Sequence, residues 1–213
     1  MGMTRRLIQL FLGLALYGLS VGLMVRSDLG VNPWDVFHQG LSARTGLGLG
    51  TIIIIIGAAV LLLWIPLRQR PGIGTISNVF LIGIWTDISL WLIPPAGSLT
   101  MAWAMLFAGV FLNGVAGGAY IGAGLGPGPR DGLMTGLVKR TGRSVRFVRT
   151  CIELVVIATG WVMGGTLGLG TALYAIAIGP IVHLMLPIFT IADERESAEP
   201  ELLIDPDCCP QPR

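Results

Sequence analysis

Shifted by 96 residues, the chain lies on itself without a gap. Gly30-Val31-Asn32-Pro33-Trp34-Asp35 falls on Gly126-Pro127-Gly128-Pro129-Arg130-Asp131, Arg44-Thr45-Gly46 on Arg140-Thr141-Gly142, and Gly72-Ile73-Gly74-Thr75 on Gly168-Leu169-Gly170-Thr171. Laying residues 7–92 over 103–188 gives 23 identities in 86 positions, about 27%. Chance agreement for so Gly- and Leu-rich a chain is on the order of a tenth. The matches also gather at Gly, Pro, Asp and Arg, where mere greasiness would not put them. Any fold for this chain must therefore be built from two copies of one unit.

The unit is apolar. Hydrophobic residues make up 53% of the chain and charged residues 12%, about half the charged share of a globular protein. Six stretches are long and apolar enough to cross a bilayer: residues 7–25, 51–67, 74–93, 100–122, 147–164 and 170–191. The first follows Arg5-Arg6 as a signal peptide would, but its apolar run is too long and Arg26 follows in place of a small-residue cleavage site. It reads as a retained span. The lipid bilayer is the partner these stretches imply.

Basic residues then set the orientation. With the N-terminus cytoplasmic, the inside segments carry ten Lys or Arg (Arg5, Arg6, Arg68, Arg70, Arg130, Lys139, Arg140, Arg143, Arg146, Arg149) and the outside segments two (Arg26, Arg44). Both termini fall inside. Three crossings per copy is an odd number, so the second copy must run upside down relative to the first. The expected fold is an all-α polytopic membrane protein of six spans in two inverted three-helix repeats, residues 1–98 and 99–192. Residues 1–190 carry a net charge of +7, and residues 193–213 hold seven acids and two arginines. That acidic, Pro-rich end reads as a disordered cytoplasmic tail.

Between the first two spans of each copy the chain breaks. Asn32, or Gly128, stands where a helix cap would be. Pro33 or Pro129 takes the first helical position, where its missing N–H costs nothing. Asp35 or Asp131 takes the third, where a carboxylate opposes the helix dipole and can reach back to the cap amide. About three turns later Gly46 or Gly142 offers a left-handed stop. A helix-start device accounts for these residues singly. Their recurrence at equivalent points of an inverted pair points further, to two short re-entrant helices whose positive ends line a solute site. The candidate binding residues are Asn32, Trp34, Asp35, Gly128, Arg130 and Asp131. Trp34 and Arg130 are equivalent positions, one aromatic and one cationic, which suits an anionic or zwitterionic solute. An interfacial Trp anchor and a positive-inside Arg are the plainer readings of each alone.

Three ionisable groups remain inside apolar runs, where each costs about 2.5–3.5 kcal/mol unless paired or wetted. Asp87 and His183 are equivalent under the shift and form a candidate ion- or proton-coupling pair. Both also lie near helix ends, before Pro94 and Pro187, where water could solvate them. Glu153 is a third coupling candidate, although a pair with Arg149 one turn earlier explains it more cheaply. His38 aligns with Met134, falls outside the shared pattern and reads as local packing. Cys151 reads as a small buried hydrophobe, and Cys208-Cys209 lack a nearby His or Cys to complete a metal site. Gly18 and Gly22, with Gly114 and Gly118, give small-xxx-small faces for close helix contact.

No P-loop, HEXXH, GxSxG or metal-ligand cluster occurs in the sequence. An enzyme, a cofactor, a bound metal and a nucleic-acid partner are not expected. Secondary transport of a small solute between the repeats is the leading reading. The competing class is a non-transporting accessory protein whose glycine faces hold a second copy or another membrane protein and whose tail docks a cytosolic one.

The segment Asp28-Leu-Gly-Val-Asn-Pro-Trp-Asp35, with Gly124-Leu-Gly-Pro-Gly-Pro-Arg-Asp-Gly-Leu-Met134, resembles the YitT/YczE (YyaS-type) family of bacterial integral membrane proteins. The resemblance covers residues 7–187. Some YitT-like members carry a soluble C-terminal domain, and this chain looks closer to the YczE branch. The resemblance implies a multi-span helical fold in the bacterial cytoplasmic membrane and supplies no substrate.

Overall fold

The computed structural model describes residues 2–191, and all their regular structure is helical. Eight helices follow in order: α1 (Gly2–Ser27), α2 (Pro33–Thr45), α3 (Leu49–Leu67), α4 (Ile73–Leu92), α5 (Leu99–Gly122), α6 (Pro129–Thr141), α7 (Val145–Val162) and α8 (Leu169–Phe189). The acidic segment from residue 193 onward, with Cys208 and Cys209, lies outside the described residues.

The duplication is written into the backbone. Helices α2 and α6 begin and end 96 residues apart, as do the starts of α3 and α7 and of α4 and α8. Among the described residues eight have positive φ, and they form four pairs at that same interval: Asp28 with Gly124, Gly30 with Gly126, Gly46 with Gly142, and Arg68 with Gly164. Two of the four pairs, 30 with 126 and 46 with 142, are glycine in both copies, and in the other two the same backbone turn is kept by Asp28 and Arg68.

Five helices, α1, α3, α4, α5 and α8, are long and apolar enough to cross a membrane. The expected sixth, α7, has the length at 18 residues but carries Arg146, Arg149 and Glu153. At 13 residues each, α2 and α6 reach only about 20 Å, too short to cross. The outward faces are strongly apolar, with Ile65 73%, Trp91 83% and Ile176 75% exposed. Such a surface fits lipid and would be untenable in water. Cys151, expected inside, is exposed on this outer surface.

Helices α1 and α5 form the centre, and glycine sets how closely they approach. A side chain at Gly13 would meet Ala119 and Tyr120, and one at Gly109 would meet Ser20 and Met24. Gly18 and Gly22 seat α1 on Trp85 and Ser89 of α4, while Gly114 and Gly118 seat α5 on Ile181 and Met185 of α8. The contacts of Gly13 with Tyr120, Gly18 with Trp85 and Gly22 with Ser89 fall, under the 96-residue shift, on those of Gly109 with Met24, Gly114 with Ile181 and Gly118 with Met185. The small-residue faces are thus occupied within the chain. Without a hydrophobic drive between helices in lipid, such close backbone contact is the main source of association.

The short helices are exchanged. α2 packs on α7 of the second copy, with Gly40 and Gly160 at the crossing, and α6 packs on α3 of the first, with Gly132 against Trp64. Each break loop also docks on the other copy: Gly170 donates its N–H to Leu29 O at 2.7 Å, and Gly74 to Leu125 O at 2.8 Å. The helix ends sort into two groups. Arg26 reaches Leu90 O and accepts from Ala96 N, placing the end of α1 beside the α4–α5 turn. Gln9 donates to Ala119 O at 2.9 Å and Phe189 O at 2.7 Å, placing the start of α1 beside the ends of α5 and α8.

Candidate functional site

Both short helices start as their sequences require. Asn32 caps α2, its side-chain oxygen accepting from Asp35 N at 3.0 Å, and Gly46 closes the helix at φ 73°. Gly128 has almost the same backbone angles as Asn32 (φ −62°, ψ 158° against φ −63°, ψ 157°) but no side chain, so α6 lacks a side-chain cap. Neither carboxylate reaches back to the cap amide as the capping pattern predicts. Asp35 instead accepts from the Asn32 side-chain amide and from His38 Nδ1 at 3.0 Å, and Asp131 accepts from Tyr120 OH at 2.9 Å.

These two helix starts open on one cavity of about 170 Å³. Five of the six candidate binding residues line it: Asn32, Trp34, Gly128, Arg130 and Asp131. Asp35 is the sixth. It is 1% exposed and sits just behind the wall, 3.7 Å from the Arg130 guanidinium. Arg130 also lies over the Trp34 ring, 5.0 Å from its centroid. The equivalent positions 34 and 130 therefore meet face to face, and α6 is tied to α2 by a cation–π contact and an ion pair. Asp35 offsets the positive ends of two helices aimed at the same space.

The far wall is polar on one side only. Arg149 and Glu153 of α7 line it, paired at 2.8 Å as their spacing predicts, where the equivalent α3 positions are Ile53 and Gly57. Asn78, the equivalent of Tyr174, is 9% exposed and faces the cavity with no hydrogen-bond partner among the described residues. Tyr174 is bound: its hydroxyl donates to Asn113 Oδ1 at 2.9 Å, and Asn113 donates to Ser20 at 2.8 Å. That buried chain fixes α1, α5 and α8 together.

Asp87 and His183 are not at this site. The Asp87 carboxylate accepts from Gly50 N at 2.7 Å, capping α3, and His183 is exposed on α8. His38, expected only to pack locally, is 1% exposed, lines the cavity and is hydrogen-bonded to Asp35. Its spacing of three from Asp35 on a short helix was the available signal. Asn78 and Tyr120 left no such trace, because only the packing of α4 and α5 brings them to α6. Among the described residues no cluster of three or more His, Cys, Asp or Glu could hold a metal.

Residues 4–187 match a family model described as a family of unknown function, DUF6198. An uncharacterized protein of Haemophilus influenzae is 37% identical over 179 residues, covering 84% of this chain and 82% of its own. The uncharacterized membrane protein YczE of Bacillus subtilis is 38% identical with 83% of each chain covered, and YyaS of the same organism is 25% identical over 83% of this chain and 90% of its own. No solved structure matches. With its apolar helices and these relatives, the chain is a multi-pass membrane protein of the YczE/YyaS type and belongs to the DUF6198 family.

Proposed function

We propose that this protein is a six-span permease of the bacterial cytoplasmic membrane, moving a small solute through the cavity between two inverted three-helix repeats. One observation carries the reading: the starts of two broken helices, equivalent under the repeat, meet at a single cavity walled by both halves. Transporters of inverted-repeat design place half-helix ends and unwound backbone there, at the bilayer midplane. Irregular backbone at such depth needs the shelter of protein or an aqueous cavity, which α7 and α3 give to α2 and α6.

The opposed orientation draws support from the two groups of helix ends and from the ten-to-two bias of basic residues. α7 counts as the sixth span because Glu153 neutralises Arg149 on the same face and both line the cavity. Asp35 and Asp131 organise the re-entrant helices. Of the coupling candidates, Glu153 stands at the cavity, whereas Asp87 and His183 do not.

Screening metabolite uptake into liposomes, with and without a pH gradient, tests the proposal. We expect the wild type to accumulate at least one small solute. Joint replacement Asp35→Asn and Asp131→Asn should cut that flux at least tenfold with insertion unchanged. Equal flux in the double variant would reject the cavity as the route, and no uptake of any solute would reject transport.

A further inference from the structure

The two copies differ at one decisive place, and the first copy shows what the second lacks. In α2 the Asn32 carboxamide does two things: its oxygen accepts from Asp35 N, and its nitrogen donates to the Asp35 carboxylate. In α6 the same backbone geometry is present but Gly128 supplies neither group. The space an Asn side chain would fill faces the cavity.

Three polar atoms converge on that space. A carbon placed at the Cβ position of Gly128 would lie 3.1 Å from Asp131 Oδ2, 3.2 Å from Tyr120 OH and 3.6 Å from Asn78 Nδ2. Asn78, 9% exposed, lines the cavity and makes no hydrogen bond among the described residues. Asp131 is the one cavity carboxylate that no cation pairs among the described residues, since Arg130 is given to Asp35 and Arg149 to Glu153. Asp131 is half-buried with Tyr120 as its hydrogen-bond donor and no cation beside it, a charge partly out of water without a counter-ion, and the Asn78 amide beside it has donors to spare. Both deficits are met by a ligand that places a cationic N–H donor against Asp131 and an acceptor oxygen on the adjacent atom, toward the uncapped α6 amides and Asn78.

We infer that Gly128, Asp131, Asn78 and the open end of α6 form the binding site for a small α-amino acid. Its ammonium takes the place of the Asn32 side-chain nitrogen and its carboxylate the place of the Asn32 oxygen. The Arg130 guanidinium, 3.7 Å from Asp35, also lines the cavity. Ile53, Ile56, Val79 and Ile82 complete the wall and favour an apolar side chain. This assignment rests on the cavity being the solute site. It names the solute class and makes the second copy alone the binding half.

Gly128→Asn gives the test, because it supplies from within the chain what the amino acid supplies from outside. The backbone at Gly128 already matches Asn32, and the neighbours at 3.1 and 3.2 Å are side-chain ends that shift by tenths of an ångström. Full-length protein in detergent, and separately in phosphatidylcholine vesicles, is titrated with alanine, valine and leucine. Matched probes are their N-acetyl forms, which lose the ammonium, and their decarboxylated amines, which lose the carboxylate. Wild type should bind at least one free amino acid and raise its melting temperature with it, and both truncated forms should bind at least tenfold more weakly.

Gly128→Asn should melt higher than wild type without ligand and lose binding at least tenfold. Asn78→Leu should weaken binding by about tenfold while folding normally. Undiminished binding by Gly128→Asn overturns the assignment, as does equal binding of the N-acetyl forms or no binding of any free amino acid. Binding without uptake would refute transport and leave this site standing. Uptake of an unrelated solute, indifferent to Gly128→Asn, would do the reverse.

Discussion

Gly30 and Gly126 hold φ angles of 121° and 122°, a region that residues with a Cβ pay on the order of 1–3 kcal/mol to enter. A Cβ at Gly30 would also come within 2.8 Å of Thr171 N, and one at Gly126 within 2.9 Å of Thr75 Oγ1. Gly30→Ala and Gly126→Ala should therefore each destabilise the protein by about 1–3 kcal/mol, read as a lower midpoint of unfolding in detergent. Loss at only one of the two would contradict their equivalence. Asn32→Ala should cost about 0.5–2 kcal/mol as a lost cap, whereas Gly128→Ala removes no hydrogen bond and should cost much less. The same unfolding titration separates them. The duplicated glycines made the turn positions readable from the chain alone, since a positive φ leaves a residue-type signature. The side-chain partners of the aspartates left none. Tyr120 reaches Asp131 only because α5 ends beside α6, and nothing in the spacing of residues 120 and 131 says so.

Helices show the same division between what is local and what is tertiary. The start and stop of α2 and α6 follow from Pro33, Pro129, Gly46 and Gly142, and the structure puts them there. The partner of each short helix could not be read. α6 is anchored by Trp64 of α3, 2% exposed, whose indole N–H donates to Pro129 O at 3.0 Å and whose ring lies under Gly132. Trp64→Ala should destabilise by about 3–5 kcal/mol, measured by unfolding. Trp64→Phe keeps most of the packing and loses the indole N–H, so its cost isolates that bond at about 0.5–1.5 kcal/mol. Equal costs for the two replacements would mean that packing under Gly132 contributes nothing. α7 reads from the sequence as a span, yet it is the one expected span that does not rank among the five long apolar helices. The Arg149–Glu153 pair was legible from its spacing, whereas its place on the cavity wall was not.

At the scale of the whole molecule the repeat predicts topology. Single cysteines at positions 69 and 143 should be reached by a membrane-impermeant thiol reagent from one side, and cysteines at positions 46 and 97 from the other. Labelling of 69 and 143 from opposite sides would remove the opposed arrangement and the shared cavity with it. The hydropathy of the sequence supplied the long helices, and basic residues supplied a direction. A shared space between the halves was expected from the recurring break, but which copy each short helix leans against was hidden.

That exchange makes each copy an incomplete object. A solitary first copy would leave Gly40 and Leu29 without their seats, and a solitary second copy would leave Gly132 and Leu125 bare. Cut in the turn after Pro95, the chain should yield fragments that are degraded when made singly and persist when made together. The duplication behaves as a fused pair of mutual templates, and neither twin can drift in sequence without its counterpart absorbing the change.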